Sequence, residues 1–386
     1  MEANYEPGTF GYDLEFLSHY DTLHILSSPD GMAQVIVSPK YQGKVFTSTT
    51  NGSEGISLGY INHDFFVKGV VDEHMNGFGG ENRLWLGPEG GQFSLFFSPG
   101  AEQVYDNWHT PAPVDTEPWT TQSADSTTIS MVKEMQLPNY LGSTLHTRVE
   151  RRITLLSPEQ LRDSLGCPLP ESVRMVAYRS ENRVTNLNDF AWTPETGTLS
   201  IWILDMFKPS EEAVTIIPHR HALLSDNEPV ATTNYFGEIP PERLSIQDRT
   251  LYLKTDGKYR SKVGLSALRT TGIAGNYDPL SNHLIIVTFD VAPNRPYINQ
   301  EWDPTKDPLK GETLHAYNDG PLEDGSIMGP FLELESSSPA ALLAPGESLS
   351  HRHNVYHFVG KESDLSLISQ QLLGVSLEQV QSIFRE

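Results

Sequence analysis

Two acidic residues near the C-terminus have types and spacing that suit acid–base chemistry. Glu333 and Glu335 alternate with leucines, and in a β-strand they would share one face with Phe331. Carboxylates on an otherwise apolar strand are costly to bury without partners. A general base, an acceptor for sugar hydroxyls or a metal ligand would each account for the pair. A solvated strand face or an ion pair with Arg352 would account for it as well.

Histidines follow in the same part of the chain. His351, His353 and His357 alternate along one predicted strand and would share a face. Histidines two residues apart on a strand can ligate a metal ion, although such histidines are more often simply exposed. His315 and Tyr317 alternate in the same way just before an Asn-Asp-Gly turn. These two residues are the better site candidates in their segment.

A glycine-rich block in the first quarter of the chain contains a second set of candidates, in residues 79–93. Arg83 carries a fork-shaped guanidinium that can donate to paired sugar hydroxyls or to a carboxylate. Trp85 could stack on the apolar face of a sugar. The alternative is a structural pair of Arg83 with Glu81 or Glu89 beneath a packed Trp85. The glycine pairs permit tight turns or close approach of a ligand, and their spacing is not that of a phosphate loop.

The elements that must position these residues are mostly strands. Short runs rich in β-branched and aromatic residues recur from about residue 10 to residue 360, separated by Gly, Pro, Asn and Asp. No regular alternation with helices appears, so the pattern favours an all-β fold, a large antiparallel sandwich, over a parallel α/β fold. The clearest predicted strands are residues 33–37, 93–97, 199–204 and 283–289.

Only two regions carry convincing helix signals. Residues 157–160, Ser-Pro-Glu-Gln, offer an N-cap, a proline at the first helical position and a capping-box glutamine. In the tail, Ser363 is predicted to cap a helix at residues 364–373, and Ser376 with Gln379 to open another.

We expect one domain over residues 1–386, with the C-terminal helices at about 363–386 packed at the edge of the sandwich. Two long proline-containing segments, residues 226–241 and 293–310, are predicted to be loops rather than linkers. Loops on a rigid sandwich often shape a binding cleft.

Composition argues against several classes of protein. The 27 basic and 50 acidic residues give a formal charge of −23, which disfavours binding to nucleic acid or to anionic membranes. No apolar run approaches the ~18 residues of a membrane span. Cys167 is the only cysteine, so no internal disulfide can form. The N-terminus shows no export signal, which predicts a cytoplasmic protein if the chain is complete and a periplasmic or exported one if a signal was removed.

These segments together resemble the galactose mutarotase-like (aldose 1-epimerase-like) superfamily. The chain looks most similar to an uncharacterised bacterial branch, marked by the Gly-Gly-Glu-Asn-Arg…Gly-Pro-Glu-Gly-Gly block, over nearly its whole length. The looser similarity to mutarotases themselves rests on the general strand order, on Asn82-Arg83 and on Leu334-Glu335…Pro339-Ala340. The resemblance implies a β-supersandwich with a sugar cleft on one concave face.

The resemblance also implies a mechanism. In mutarotases a glutamate removes the proton of the anomeric hydroxyl, a histidine protonates the ring oxygen, and the ring opens and recloses with the anomeric centre inverted. Glu335 aligns with that base, and Arg83 aligns with the substrate-binding arginine. Both characteristic histidines are replaced, by Leu187 after Thr-Asn and by Glu89 before Gly-Gly. The residues that could supply the acid instead are His315, His351, His353 and Glu89.

We therefore expect a carbohydrate-active or carbohydrate-binding protein whose ligand is a small carbohydrate. The first hypothesis is an aldose 1-epimerase-like isomerase with Glu335 as base and His315 or His353 as acid. The expected substrate-binding residues are Asn82, Arg83, Trp85, Glu89, Tyr317 and Asp319. The alternatives are a noncatalytic sugar-binding protein and a metal-assisted carbohydrate enzyme that uses Glu333 or Glu335 with nearby histidines. No cofactor or bound metal is predicted, and the sequence leaves the oligomeric state open.

Overall fold

The computed structural model describes residues 4–167, 169–221, 229–322 and 324–385. Over these residues the chain forms eighteen strands in three sheets and six α-helices, and every paired strand is antiparallel. The strands are β1 (His24–Ser27), β2 (Gln34–Ser38), β3 (Lys44–Thr49), β4 (Arg83–Gly87), β5 (Thr120–Ala124), β6 (Thr128–Pro138), β7 (Thr144–Leu155), β8 (Arg174–Asn186), β9 (Ser200–Phe207), β10 (Val214–Pro218), β11 (Leu244–Gln247), β12 (Thr250–Lys254), β13 (Ser261–Leu265), β14 (Ile273–Asp278), β15 (His283–Phe289), β16 (Leu314–Asn318), β17 (Leu332–Ser337) and β18 (Ser348–Val359). The helices are α1 (Phe10–Ser18), α2 (His63–Lys68), α3 (Ala112–Asp115), α4 (Pro158–Leu165), α5 (Glu362–Leu372) and α6 (Leu377–Ser382). The predicted all-β sandwich with few short helices is confirmed.

The two larger sheets pack against each other. The ten-stranded sheet has the order β11-β12-β10-β14-β15-β18-β8-β7-β6-β5, the five-stranded sheet β13-β16-β17-β9-β4, and a smaller sheet β1-β2-β3. Leu334 of β17 and Ile203 of β9 lie in the same buried cluster as Val149 of β7 and Val355 of β18. Because side chains alternate along a strand, one face of the five-stranded sheet is committed to this core and the other face is available for a site.

A buried polar network also joins the two large sheets. His353 of β18 contacts Asp205 of β9 with an Nε2–Oδ2 distance of 2.6 Å, and Asn82 donates to the other carboxylate oxygen of Asp205 at 2.5 Å. Arg151 of β7 donates to the Asn82 side chain and, at 2.8 Å, to Asn182 of β8. Polar groups that are buried this deeply require partners, and each of these side chains has one. We call these five residues the inter-sheet network.

Most of the predicted strands are confirmed. Residues 33–37, 199–204 and 283–289 fall in β2, β9 and β15. The prediction of a strand at residues 93–97 is wrong. The Ser94 hydroxyl accepts the backbone N–H groups of Phe96 and Phe97 at 3.0 and 3.3 Å, which folds the segment into a turn, although its apolar side chains are buried.

The helices pack outside the sheets. The signal at residues 157–160 is confirmed, because Ser157 and Gln160 form a capping box at the start of α4. The C-terminal helices are confirmed as α5 and α6. Their predicted position at the edge of the sandwich is wrong, because their apolar side chains pack on the outer face of the ten-stranded sheet in a second apolar cluster. The predicted start at Ser363 is wrong, since Lys361 is the N-cap of α5 and no side chain caps it. In the described part of the chain, no helix is long and apolar enough to cross a membrane.

Candidate functional site

A cavity of about 280 Å³ opens on the face of the five-stranded sheet that is opposite the core. All five strands of that sheet contribute to its floor, through Arg83, Trp85, Trp202, Leu204, Met206, Lys262, Tyr317, Glu333 and Glu335. Loops form the walls. The predicted loop at 293–310 contributes Trp302, and the predicted loop at 226–241, of which 226–228 lie outside the described residues, contributes Phe236.

Strand register brings the charged residues of the floor together. Glu335 of β17 is paired with His315 of β16, and Glu333 is paired with Tyr317. Tyr317 is in turn paired with Lys262 of β13. Directly opposed residues on neighbouring strands share one face of a sheet. Side chains that are far apart in the sequence therefore meet at one place on the cavity side.

Glu335 is buried and closely surrounded by donors. The ammonium of Lys262 lies 3.0 Å from Oε1 and 3.1 Å from Oε2, and the indole N–H of Trp202 donates to Oε2 at 2.9 Å. Burial alone would raise the pKa of Glu335, but Lys262, His315 and Trp202 together hold that pKa below its ordinary value. Glu335 is therefore ionised at neutral pH.

Glu333 lies two residues away on the same face and has a different environment. Arg83 donates to its Oε1 in a buried ion pair, so Arg83 is paired with Glu333 rather than with Glu81 or Glu89. Burial raises the pKa of Glu333, Arg83 opposes this shift, and the negative charge of Glu335 adds to it. The two neighbouring carboxyl groups therefore differ in acidity.

Glu89 lies partly buried in the cavity wall, in the loop after β4. Burial raises the pKa of Glu89 to about 7, with Lys262 opposing the shift and Glu335 reinforcing it. Gly90 allows this placement, because a Cβ atom there would lie only 2.5 Å from the Glu301 carbonyl oxygen. Gly90 thus permits close packing of the two loops. The raised pKa leaves the Glu89 carboxyl group partly protonated at neutral pH.

Aromatic side chains line much of the cavity. Trp85 and Trp202 meet edge to face on the floor, with ring centroids 5.6 Å apart. Trp108 and Trp302 stack in the wall, with centroids 6.1 Å apart and planes 24° from parallel. Flat apolar surfaces of this kind suit the carbon-bound hydrogens of a sugar ring, while the charged floor suits its hydroxyl groups.

The two histidines predicted as acids differ in position. His315 is buried behind Glu335, with Nδ1 3.7 Å from the Oε2 atom of that residue. Burial and the nearby charge of Lys262 lower the pKa of His315 to about 3, so its ring is neutral at physiological pH. His353 belongs to the inter-sheet network and faces away from the cavity, so the structure does not bring it to the predicted base.

The predicted substrate-binding residues also separate into two groups. Arg83, Trp85, Glu89 and Tyr317 line the cavity. Asn82 does not, because alternation along the chain turns it into the inter-sheet network. Asp319 is fully buried and accepts the Tyr317 hydroxyl at 2.8 Å and the Gly329 N–H at 3.0 Å. Asp319 therefore positions Tyr317 and has no direct access to a ligand.

Sequence reasoning missed Lys262, Arg260 and Trp202. Lys262 lies on β13, a short strand that follows a Gly-Lys-Tyr-Arg segment with no recognisable site motif. Its role depends on the pairing of β13 with β16, which no local pattern reveals. Trp202 was within a predicted strand, and the alternation that places Ile201 and Ile203 in the core also directs Trp202 to the cavity.

The metal-assisted alternative requires convergent ligands. Within the described ranges, no group of three or more His, Cys, Asp and Glu side chains is arranged to hold a metal ion. His351 and His353, which have the spacing of a ligand pair, both contact the Ser336 hydroxyl at 2.8 Å. These two histidines are therefore engaged in a hydrogen-bonded structure between the sheets.

The fold is that of galactose mutarotase-like, or aldose 1-epimerase-like, proteins. The chain matches the crystal structure of the Slr1438 protein from Synechocystis sp. PCC 6803 with a TM-score of 0.52 and 14% identity, over 89% of this chain and 97% of that one. It matches a provisionally named aldose 1-epimerase from Escherichia coli K12 with a TM-score of 0.51 and 15% identity, over 87% and 98% of the two chains. At these identities the likeness shows the fold alone.

The sequence profile of DUF6786, described as a family of unknown function, matches residues 8–384. The chain belongs to that family. No curated protein sequence matches the chain significantly.

Proposed function

We propose that this protein binds a sugar in the cavity and interconverts its anomers by general acid–base catalysis. The observation that carries the proposal is a pair of carboxyl groups whose pKa values move in opposite directions within one cavity. The pKa of Glu335 is below its ordinary value, and that of Glu89 is raised to about 7. When the environments of two carboxyl groups move their pKa values apart in this way, the group with the lower pKa can act as the base and the group with the higher pKa as the acid. The shared fold with the Escherichia coli protein supports a carbohydrate as ligand.

In the proposed reaction, Glu335 accepts the proton of the anomeric hydroxyl while Glu89 donates a proton to the ring oxygen. The bond between the anomeric carbon and the ring oxygen breaks, and the electron pair released by the hydroxyl forms the carbonyl of the open-chain sugar. Rotation about the adjacent carbon–carbon bond exposes the other face of that carbonyl. Reversal of both proton transfers recloses the ring, so that both carboxyl groups regain their starting states.

Glu89 replaces the histidines as the proposed acid. A neutral His315, with a pKa of about 3, has no proton to give readily to a ring oxygen. His353 faces the other side of the sheet. Glu89 lies in the cavity wall and has the raised pKa that a carboxylic acid needs near neutral pH.

A noncatalytic sugar-binding protein is the second candidate, and one observation favours it. Lys262 contacts both oxygens of Glu335, and Trp202 donates to one of them. Hydrogen bonds to the ionised form make a carboxylate a weaker base. In a binding protein, the same ion pair would only bind sugar hydroxyls, with Glu335 accepting hydrogen bonds from them and Lys262 donating hydrogen bonds to them.

Replacement of the base separates the two candidates. We expect Glu335→Gln to lower the rate of anomer exchange at least about 100-fold, because a general base typically contributes that much. Sugar affinity should change much less, since the amide keeps the shape of the side chain. Exchange spectroscopy of the anomeric protons measures the rate for a panel of aldoses and uronic acids, and titration calorimetry measures the affinity.

Glu347→Gln is the matched control, because Glu347 is an exposed residue of the same C-terminal segment. It should leave both quantities unchanged. Undiminished exchange in Glu335→Gln would remove Glu335 from the role of base. Sugar binding by the unmodified protein without any acceleration of exchange would select the binding protein.

A further inference from the structure

Arg260 differs from the other two cations that line the cavity. Arg83 is paired with Glu333, and Lys262 is paired with Glu335. Arg260 also lines the cavity, but among the described residues no carboxylate lies within salt-bridge distance of it. An unpaired guanidinium inside a ligand cavity requires an explanation, since the neighbouring cations each have a partner.

The orientation of Arg260 is fixed from two sides. Its Nε donates to the Tyr317 hydroxyl at 3.2 Å, and its guanidinium carbon lies 3.8 Å from the centre of the Phe236 ring. Tyr317 is itself held by Asp319 at 2.8 Å. These contacts hold the planar group in place and use only one of its nitrogens. In the described part of the chain, the two terminal nitrogens have no hydrogen-bond acceptor.

Two adjacent terminal nitrogens in a fixed plane form a fork that matches the two oxygens of a carboxylate. Asp319 cannot be that carboxylate, because its oxygens accept from Tyr317 and from the Gly329 N–H. Of the other carboxyl groups that line the cavity, Glu333 and Glu335 are already paired. Glu89 is close enough for the charge of Arg260 to act on it, but among the described residues the two side chains form no salt bridge. The acceptor that fits is therefore on the ligand.

We infer that the sugar bound in this cavity carries a carboxylate, as in a uronic acid, and that Arg260 binds it. The inference rests on the proposed function, because it names the class of sugar for the same site. The formal charge of −23 on the whole chain opposes the approach of any anion. Selection of an anionic sugar therefore depends on a local cation that has no partner within the protein.

Titration calorimetry with D-glucuronate and D-galacturonate, each compared with the corresponding neutral aldose, tests the inference. We expect the uronate to bind at least about tenfold more tightly, the effect of hydrogen bonds to a charged group. Arg260→Gln should reduce the uronate preference, the ratio of uronate affinity to neutral-aldose affinity, to near unity. Arg260→Lys, which keeps the charge and removes the fork, should give an intermediate preference. Arg183→Gln, at an exposed arginine on β8, should have no effect.

The outcomes distinguish this inference from the function on which it rests. Binding or anomer exchange of neutral aldoses without any preference for uronates would overturn the inference alone. An equal loss of affinity for the uronate and for the neutral aldose in Arg260→Gln would also overturn it. Tighter binding of hexose 6-phosphates than of uronates would overturn the assignment to a carboxylate. Binding of neither neutral nor anionic sugars would reject the proposed function and the inference together.

Discussion

Glu335 and Glu333 are two residues apart and share one face of β17, yet their acidities differ. Lys262 and Trp202 stabilise the ionised form of Glu335, whereas burial dominates at Glu333 and raises its pKa. Glu89, which also lines the cavity, has its pKa raised to about 7 by burial. The chemistry available in the cavity is therefore decided by the neighbours of each carboxyl group rather than by its residue type.

The raised pKa of Glu89 predicts how activity depends on pH. As the general acid, Glu89 acts in its protonated form, and that form disappears as the pH rises through about 7. We expect kcat/KM for anomer exchange to fall about tenfold per pH unit above that value. Glu89→Gln should lower activity about 100-fold or more and remove the pH-dependent limb.

Glu301→Gln is the control for this profile, because Glu301 lies in the adjacent loop and is paired with Lys306. It should retain the same decline with pH. A wild-type profile that stays level from pH 6 to pH 9 would argue against Glu89 as the acid.

At the residue scale, the alternation rule accounts for which side chains of a strand face the cavity. Alternation placed Phe331, Glu333 and Glu335 on one face, and all three line the cavity. The same rule separates Asn82 from Arg83, although the resemblance placed both in the substrate site. Lys262 was missed because its position depends on long-range strand pairing, which residue type and local spacing do not encode.

At the scale of elements, a serine in the sequence predicted the start of a helix correctly only where its side chain accepts a backbone N–H of the first turn. Ser376 accepts the N–H of Gln379 at 3.2 Å and completes a capping box at α6. Ser363 lies inside the first turn of α5, whose N-cap is Lys361. A serine before a helical pattern fits both descriptions, so the sequence alone could not distinguish them.

The difference between these two serines can be measured. We expect Ser376→Ala to destabilise the C-terminal helix by about 1 kcal/mol, the typical effect of removing an N-cap. Ser363→Ala should have little effect, because this side chain caps no backbone group of the helix. Hydrogen exchange of the backbone amides of α6 reports the change locally. Equal loss of protection in the two variants would contradict the assignment of the caps.

The elements that sequence reasoning misassigned have identifiable local causes. Residues 93–97 have strand-like composition, but the Ser94 hydroxyl binds the following backbone N–H groups and turns the chain. The first helix, α1, was not predicted although Thr9 caps it by accepting the Tyr12 N–H at 3.3 Å. Apolar composition alone therefore predicted too many residues in strands. In both segments, the side-chain hydrogen bonds to the backbone determine which secondary structure forms.

At the scale of the whole molecule, we propose that the chain forms a single domain. The main apolar cluster contains Leu26 and Val35 of the small sheet, Val149 of the ten-stranded sheet and Ile203 and Leu334 of the five-stranded sheet. A core shared by all three sheets supports this proposal. The sequence predicted one domain because its long proline-containing segments were interpreted as loops rather than linkers, but it could not show which sheets share a core.

A single domain predicts one cooperative unfolding transition. Tryptophan fluorescence reports mainly on the cavity, where Trp85, Trp202 and Trp302 lie, while far-ultraviolet circular dichroism reports on all the sheets. We expect the two signals to coincide during unfolding in urea. Ile203→Ala should lower the free energy of unfolding by about 2–5 kcal/mol and shift both signals together. Separate midpoints for the two signals would indicate more than one unit.

The two faces of β17 have a consequence for directed evolution. Glu333 and Glu335 face the cavity, whereas Ser336 on the other face contacts both His351 and His353 between the sheets. A library that randomises only the cavity-facing positions can search for new ligand preferences while the opposite face continues to join the sheets. A library that randomises every position of the strand would lose most of its members to misfolding before any new preference could be selected.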